Sequence, residues 1–137
     1  MIELLNELRM IYKDEWWHET KLPDEEVDKY HKKLLDNGNI FCLCNKGLIA
    51  YIEYWKITQK QLDEILVDES WSGYTHDITH GDICYVANIW IREDYRMDKC
   101  MSRTLKNLFL SRNTDCNKFV WTRRKYERSH LFTHTRR

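Results

Sequence analysis

Proline occurs once, at Pro23, and glycine four times, at Gly38, Gly47, Gly73 and Gly81. So little of either excludes a low-complexity or collagen-like chain. It also leaves no glycine after residue 81, which bears on any phosphate-binding loop in the second half. No apolar run approaches the roughly 18 residues that a membrane-spanning helix needs. The opening Met1-Ile2-Glu3-Leu4-Leu5-Asn6-Glu7 has no basic flank ahead of an apolar core, so no secretory leader is expected. The five cysteines (Cys42, Cys44, Cys84, Cys100, Cys116) are odd in number and contain no Cys-x-x-Cys pair. Buried free thiols in a reducing compartment are the expected state. His76, His80 and Cys84 are spaced by four, but without the ligand pairs a zinc site normally uses, and no metal is expected. Repeats are absent, and no Ser/His/Asp or Cys/His nucleophile arrangement is legible.

Net charge is also lacking: 22 Lys and Arg balance 22 Asp and Glu. The balance conceals a split. From residue 96 onward, twelve basic residues face only Asp98, Asp115 and Glu127, giving +9, while residues 1–95 carry −9. A basic third of a chain suits a nucleotide cofactor, a nucleic acid or an acidic protein, unless the two parts neutralise each other across the fold.

What the chain does contain is enough apolar and aromatic residues for one packed domain over 1–137. Leu4, Leu5, Leu8 and Ile11 recur at helical spacing and predict a first helix reaching toward Trp16, with Trp16-Trp17-His18 as an anchor or interface patch. Pro23-Asp24-Glu25-Glu26 opens a second helix, its acids in the first turn, and Gly38 suits a left-handed cap. Ile40–Cys44 and Leu48–Trp55 flank Asn45-Lys46-Gly47 and predict a hairpin. Thr58 starts a short helix, and residues 70–80 read as a loop. Ile83–Ile91 reads as a buried strand, followed by a turn with Arg96 and a helix carrying Leu105, Leu108 and Phe109. Asn113-Thr114-Asp115 breaks that helix before a strand at Lys118–Thr122. Residues 123–135 read as a hairpin, with a turn near Tyr126 and a strand Leu131–Thr135, because they offer no apolar stripe for a helix. The order implies an α/β fold with a mixed, partly parallel sheet flanked by helices on both faces.

With Ile91-Arg92-Glu93-Asp94-Tyr95-Arg96 running into Leu105, Leu108 and Phe109, the chain resembles the GNAT acyltransferase superfamily, whose members transfer an acyl group from acyl-CoA to an amine. The resemblance covers most of the chain. No strand is expected ahead of the first helix, where the family has one, and the family's last helix looks lost or shortened. In the family the junction continues as an Arg/Gln-x-x-Gly-x-Gly/Ala loop. Arg96 matches its first position, while Lys99 and Met101 stand where the two small residues belong.

The resemblance implies that acetyl-CoA would lay its pyrophosphate on Arg96, Lys99, Cys100, Met101 and Ser102, at the helix N-terminus. Helix termini hold anions through free N–H groups, and glycine lets the backbone approach them. Met101 is expected to project into that space, and Asp98 adds a negative charge beside it. Weakened or abolished acetyl-CoA binding is the expectation. A backbone N–H near Ile89, Trp90 or Ile91 would polarise the thioester carbonyl, and pantetheine would lie between that strand and Lys118–Trp121. Glu53, the one carboxylate inside a strand run, is the candidate general base, unless it is an exposed edge charge. Tyr126 is the nearest match to the family's tyrosine acid.

Two functions compete. One is an N-acyltransferase acting on an amine acceptor. The other is a non-catalytic protein of the same fold, phage-encoded or virion-associated, binding another protein. A nucleic-acid module, using Tyr51, Tyr54, Trp55, Trp71, Tyr74, Tyr85, Trp90 and Trp121 between basic residues, is a third reading. A cytoplasmic or virion location is expected.

Overall fold

The computed structural model describes residues 2–15, 22–68, 70–116, 118–125 and 128–135, with side chains described for these except 15 and 123–132. Among these residues, four α-helices, one short 3-10 turn and five strands follow in the order α1 (Ile2–Glu15), α2 (Asp24–Asn37), β1 (Ile40–Cys44), β2 (Leu48–Ile57), α3 (Gln59–Val67), β3 (Ile83–Ile91), a 3-10 turn (Glu93–Tyr95), α4 (Lys99–Arg112), β4 (Lys118–Lys125) and β5 (Arg128–Thr135). The expected element order holds throughout, including the final hairpin. Trp16, Trp17, His18 and Tyr126 lie outside the described residues.

The strands form one sheet in sequence order, β1-β2-β3-β4-β5. Every neighbouring pair is antiparallel except β3 and β4, which run parallel. A parallel pair needs a long crossover, and α4 supplies it. Local chemistry fixes the ends of the helices. Gly38 takes φ 70°, the left-handed cap of α2, and sends its N–H back to Leu35. Thr58 and Gln61 form a reciprocal capping box at α3. Asn39 is buried, and its amide donates to the carbonyls of Tyr54 (3.1 Å) and Ile78 (3.0 Å), tying the 70–80 loop to β2.

β2 lies inside the sheet, and nine of its ten residues are buried. Side chains alternate along a strand. Tyr51, Trp55 and Ile57 therefore join Leu8 of α1, Leu34 of α2 and Leu62 of α3 in one core layer. Ile52 and Tyr54 join Leu105 and Phe109 of α4 in the other, with Cys84, Cys116 and Phe119. Helices thus cover both faces, as the sequence implies. The buried-thiol expectation holds for Cys84 and Cys116 but not for Cys44 and Cys100, which are exposed near chain reversals. Among the described residues, no helix is long and apolar enough to cross a membrane.

Candidate functional site

The parallel ladder between β3 and β4 is short. Ile83, Cys84 and Tyr85 pair with Lys118, Phe119 and Val120, and the pairing stops there although both strands continue. Beyond it the strands diverge around a cavity of about 530 Å³. Val86, Ala87, Ile89 and Ile91 line it from β3, Ser102, Leu105, Lys106 and Phe109 from α4, and Trp121 and Thr122 from β4. Ile89 is 55% exposed, an unusual state for a strand isoleucine, and sits in this lining. Where two strands separate, each leaves backbone N–H and C=O groups without a ladder partner. Such an edge accepts an extended ligand that carries its own amides.

β3 also bulges. Glu53 pairs with Asn88 and Tyr54 with Val86, so Ala87 is the extra residue. A bulge breaks the ladder locally and re-aims the strand. Ala87 and Asn88 line a second pocket as well, of about 480 Å³, on the α1/α2 side of the sheet. The two bulge residues thus line both cavities, one on each face of the sheet.

The second pocket contains Glu53. Strand alternation sends it to the same face as Tyr51 and Trp55, and it is 9% exposed. The exposed-edge reading is thereby overturned, because β2 is an interior strand. Tyr30 of α2 donates its hydroxyl to Glu53 Oε2 at 2.5 Å, and Trp55 donates Nε1 at 2.9 Å. Burial raises the Glu53 pKa, and these two bonds only partly offset it. Burial, followed by the Glu53 charge, raises the Tyr30 hydroxyl in turn. His31 lines the same pocket; burial lowers its pKa to about 4, against a smaller pull upward from Asp28. Its Nδ1 has no hydrogen-bond partner among the described residues. Asn88 donates its side-chain amide to Tyr51 Oη at 2.7 Å, holding the bulge against β2.

The junction into α4 is built differently from a phosphate cradle. Arg92 makes a forked pair with Asp94 (2.8 and 3.2 Å) and lies over the Tyr95 ring. Arg96 turns back, its Nε donating to the Ile91 carbonyl at 2.6 Å. Asp98 is the N-cap of α4, and its carboxylate accepts the N–H groups of Cys100 (2.9 Å) and Met101 (3.4 Å). Those amides are the ones a helix N-terminus would offer to an anion. Lys99, Cys100 and Ser102 are exposed. Met101 is half-buried and packs against the α4 core layer rather than standing clear in front of the helix.

The sequence-predicted residues thus divide among four places. Ile89, Ile91 and Ser102 line the first cavity. Trp90 stacks on Tyr51 at 6.0 Å, packed against the α1/α2 core layer. Arg96, Lys99, Cys100 and Met101 sit at the α4 junction, and Glu53 is in the second pocket. Tyr30, His31 and Asn88 line the second pocket and were not singled out from the sequence. Tyr30 and His31 are consecutive in an amphipathic helix, and nothing in that pattern distinguishes a core contact from a pocket wall. Five of the eight aromatics proposed as a base-stacking surface (Tyr51, Tyr54, Trp55, Trp71, Tyr85) are buried, so they offer no exposed platform. His76 stacks on Trp71 at 4.1 Å and His80 pairs with Asp77, and no group of three metal-binding side chains forms among the described residues.

A mixed sheet that opens between two parallel strands, with a bulge at the opening and a helix leading away from it, defines a GNAT fold. Comparison with solved structures agrees: the chain is similar to GNAT-like domains over most of its length. It matches the loading GNATL domain of CurA from Lyngbya majuscula with a TM-score of 0.59, at 15% identity, over 91% of this chain and 63% of that one. It matches the GphF GNAT-like decarboxylase, solved in complex with isobutyryl-CoA, with a TM-score of 0.59 at 10% identity, over 86% and 60%. A predicted acetyltransferase from Clostridium acetobutylicum, solved with acetyl-CoA, matches with a TM-score of 0.51 at 19% identity, over 93% and 77%. The chain therefore spans under two thirds of the length of the first two. No family model and no curated protein matches the sequence.

Proposed function

We propose that this chain is an acyltransferase of GNAT type, receiving the acyl arm of a thioester between β3 and β4 and an amine in the Glu53 pocket. One observation carries the reading: two cavities, one apolar and one holding a buried carboxylate, share the bulge residues Ala87 and Asn88 in their walls. The acyl-CoA and acetyl-CoA bound by two of the similar structures support a thioester as donor.

The chemistry asks three things of the chain. It must hold the donor extended, and the β3 edge beyond the end of its β4 ladder suits a ligand bearing amides. It must keep water from the acyl carbon, and the Leu105, Phe109 and Trp121 lining is apolar. It must also accept a proton, since an ammonium is not nucleophilic. A buried carboxylate with a raised pKa is tuned toward that role. The new C–N bond forms as the C–S bond breaks. Of the two protons the ammonium loses, one passes to Glu53 and the other leaves on the thiol.

Coenzyme A fits only in part. The cavity suits an acyl-pantetheine arm, whereas the amides at the α4 N-terminus are taken by the Asp98 carboxylate. That same cap favours a second reading, in which the fold binds a partner macromolecule without turnover. Calorimetry with acetyl-CoA and with S-acetyl-pantetheine, followed by a thiol-release assay over a panel of amines, tests the first. Heat with either donor and thiol release dependent on Glu53 are expected. Silence from both donors at concentrations on the order of millimolar refutes it. Binding with no release for any amine selects the second reading.

A further inference from the structure

The geometry points to a donor that lacks the nucleotide: we propose a pantetheine thioester without the nucleoside diphosphate of coenzyme A. The inference rests on the donor cavity assigned under the proposed function. Three observations at the α4 junction carry it, and none concerns the cavity itself.

First, the anion-binding amides are already used. Asp98 accepts the N–H groups of both Cys100 and Met101. A pyrophosphate there would lose those donors and face a carboxylate of its own sign. Second, the backbone forms no cradle. A phosphate nest needs successive N–H groups turned to one point, which calls for a residue at positive φ. Among the described residues only Gly38, Lys46, Gly47 and Gly81 take positive φ, all before β3. The 92–98 segment instead winds as a 3-10 turn closed by Tyr95 N–H to Arg92 and Arg96 N–H to Glu93. Third, the arginine at the head of the junction is already engaged, its Nε donating to the Ile91 carbonyl.

The pantetheine half meets the opposite conditions. Its two amides match the β3 edge beyond the end of its β4 ladder, and its thioester end reaches an apolar lining. The site thus retains what recognises the acyl arm and has closed what recognises the diphosphate.

The experiment is a calorimetric comparison of S-acetyl-pantetheine with acetyl-CoA on the wild-type chain, on Asp98→Ser and on Asp98→Gly. Serine keeps a helix cap without the charge, so a fold defect in the glycine variant does not obscure the result. The wild type is expected to bind acetyl-CoA no more than about threefold tighter than S-acetyl-pantetheine. In Asp98→Ser the affinity for acetyl-CoA is expected to rise about fivefold to tenfold with that for S-acetyl-pantetheine unchanged. A wild type that prefers acetyl-CoA by more than about tenfold overturns the inference and leaves the acyltransferase reading standing. So does an Asp98→Ser variant whose two affinities both stay fixed or both rise together. Silence from both donors on all three proteins removes the acyltransferase reading, and the inference with it.

Discussion

His31 offers the sharpest physical test of the second pocket, because its titration is set by burial there. The ring is 6% exposed on α2, its Nδ1 lacks a partner among the described residues, and its pKa falls to about 4 from an ordinary 6.5. A histidine whose folded pKa is depressed binds its proton more readily in the unfolded chain. Its neutral form therefore supports the fold fully above pH 6.5, and that support is lost as pH falls from about 6.5 to about 4. Each pH unit in this window costs about 1.4 kcal/mol, so the whole loss is about 3 kcal/mol. That is a large fraction of the roughly 5–15 kcal/mol stabilising a domain. Glu53, in the same pocket, works with the opposite sign: its pKa is raised, so its contribution is full at low pH and fades as pH rises through the folded value. Asp28 opposes the histidine shift by favouring the imidazolium. Both carboxylates remain in His31→Phe, which keeps a ring and removes the titration. Urea unfolding of both proteins from pH 7.5 to 4 isolates the effect as the difference between two stability curves. The wild type is expected to lose about 1.4 kcal/mol per pH unit relative to the variant below pH 6. Curves that stay parallel would show that His31 is hydrated, and the pocket would then not be as enclosed as its lining implies.

Three further outcomes follow from the site and the fold. Glu53→Ala leaves the Tyr30 hydroxyl and Trp55 Nε1–H buried without an acceptor and is expected to cost about 2–4 kcal/mol, whereas Glu53→Gln retains an acceptor and costs under about 1. Chemical denaturation distinguishes these, and the folded Gln variant is expected to lower thiol release by about 10²–10⁴-fold with donor affinity unchanged. Ala87→Leu enlarges a side chain in the wall that both cavities share; thiol release is expected to fall at least about tenfold while calorimetric donor binding persists, and unimpaired release would mean that acceptor and donor meet elsewhere. Gly81→Ala puts a Cβ 2.0 Å from the Ile57 carbonyl oxygen at φ 152°, so the variant is expected to lose at least about 3 kcal/mol, read as a fall in urea midpoint.

The elements were legible because their signals are local. Leu4, Leu8 and Ile11 mark a helix by spacing, Gly38 a left-handed stop, and Asn45-Lys46-Gly47 a turn. Each outcome depends on residues within a few positions of one another. The site was only half legible because it depends on pairing. Ala87 is the extra residue of a bulge only because Glu53 opposes Asn88 while Tyr54 opposes Val86, and an alanine in a strand gives no local sign of that. Tyr30 reaches Glu53 across 23 positions, so the partner that holds the candidate base cannot be read from either stretch alone.

Asp98 shows the same limit at a position where the sequence was suggestive. An aspartate just ahead of a helix is an ordinary N-cap, and in a GNAT-like loop it is also a negative charge beside the phosphate seat. The sequence supports both descriptions, and they predict different things. A cap holds its carboxylate on the helix amides; a bystander charge leaves them free and acts only at a distance, weakened by salt. The contacts to Cys100 and Met101 decide for the cap. The obstacle to the diphosphate is then a negative charge seated on the donors themselves, too close for salt to screen it. The bulk of Lys99 and Met101 becomes secondary, since Lys99 is exposed and Met101 is packed into the core layer. Restoring small residues at 99 and 101 while leaving Asp98 in place is therefore expected to leave acetyl-CoA affinity unchanged by calorimetry.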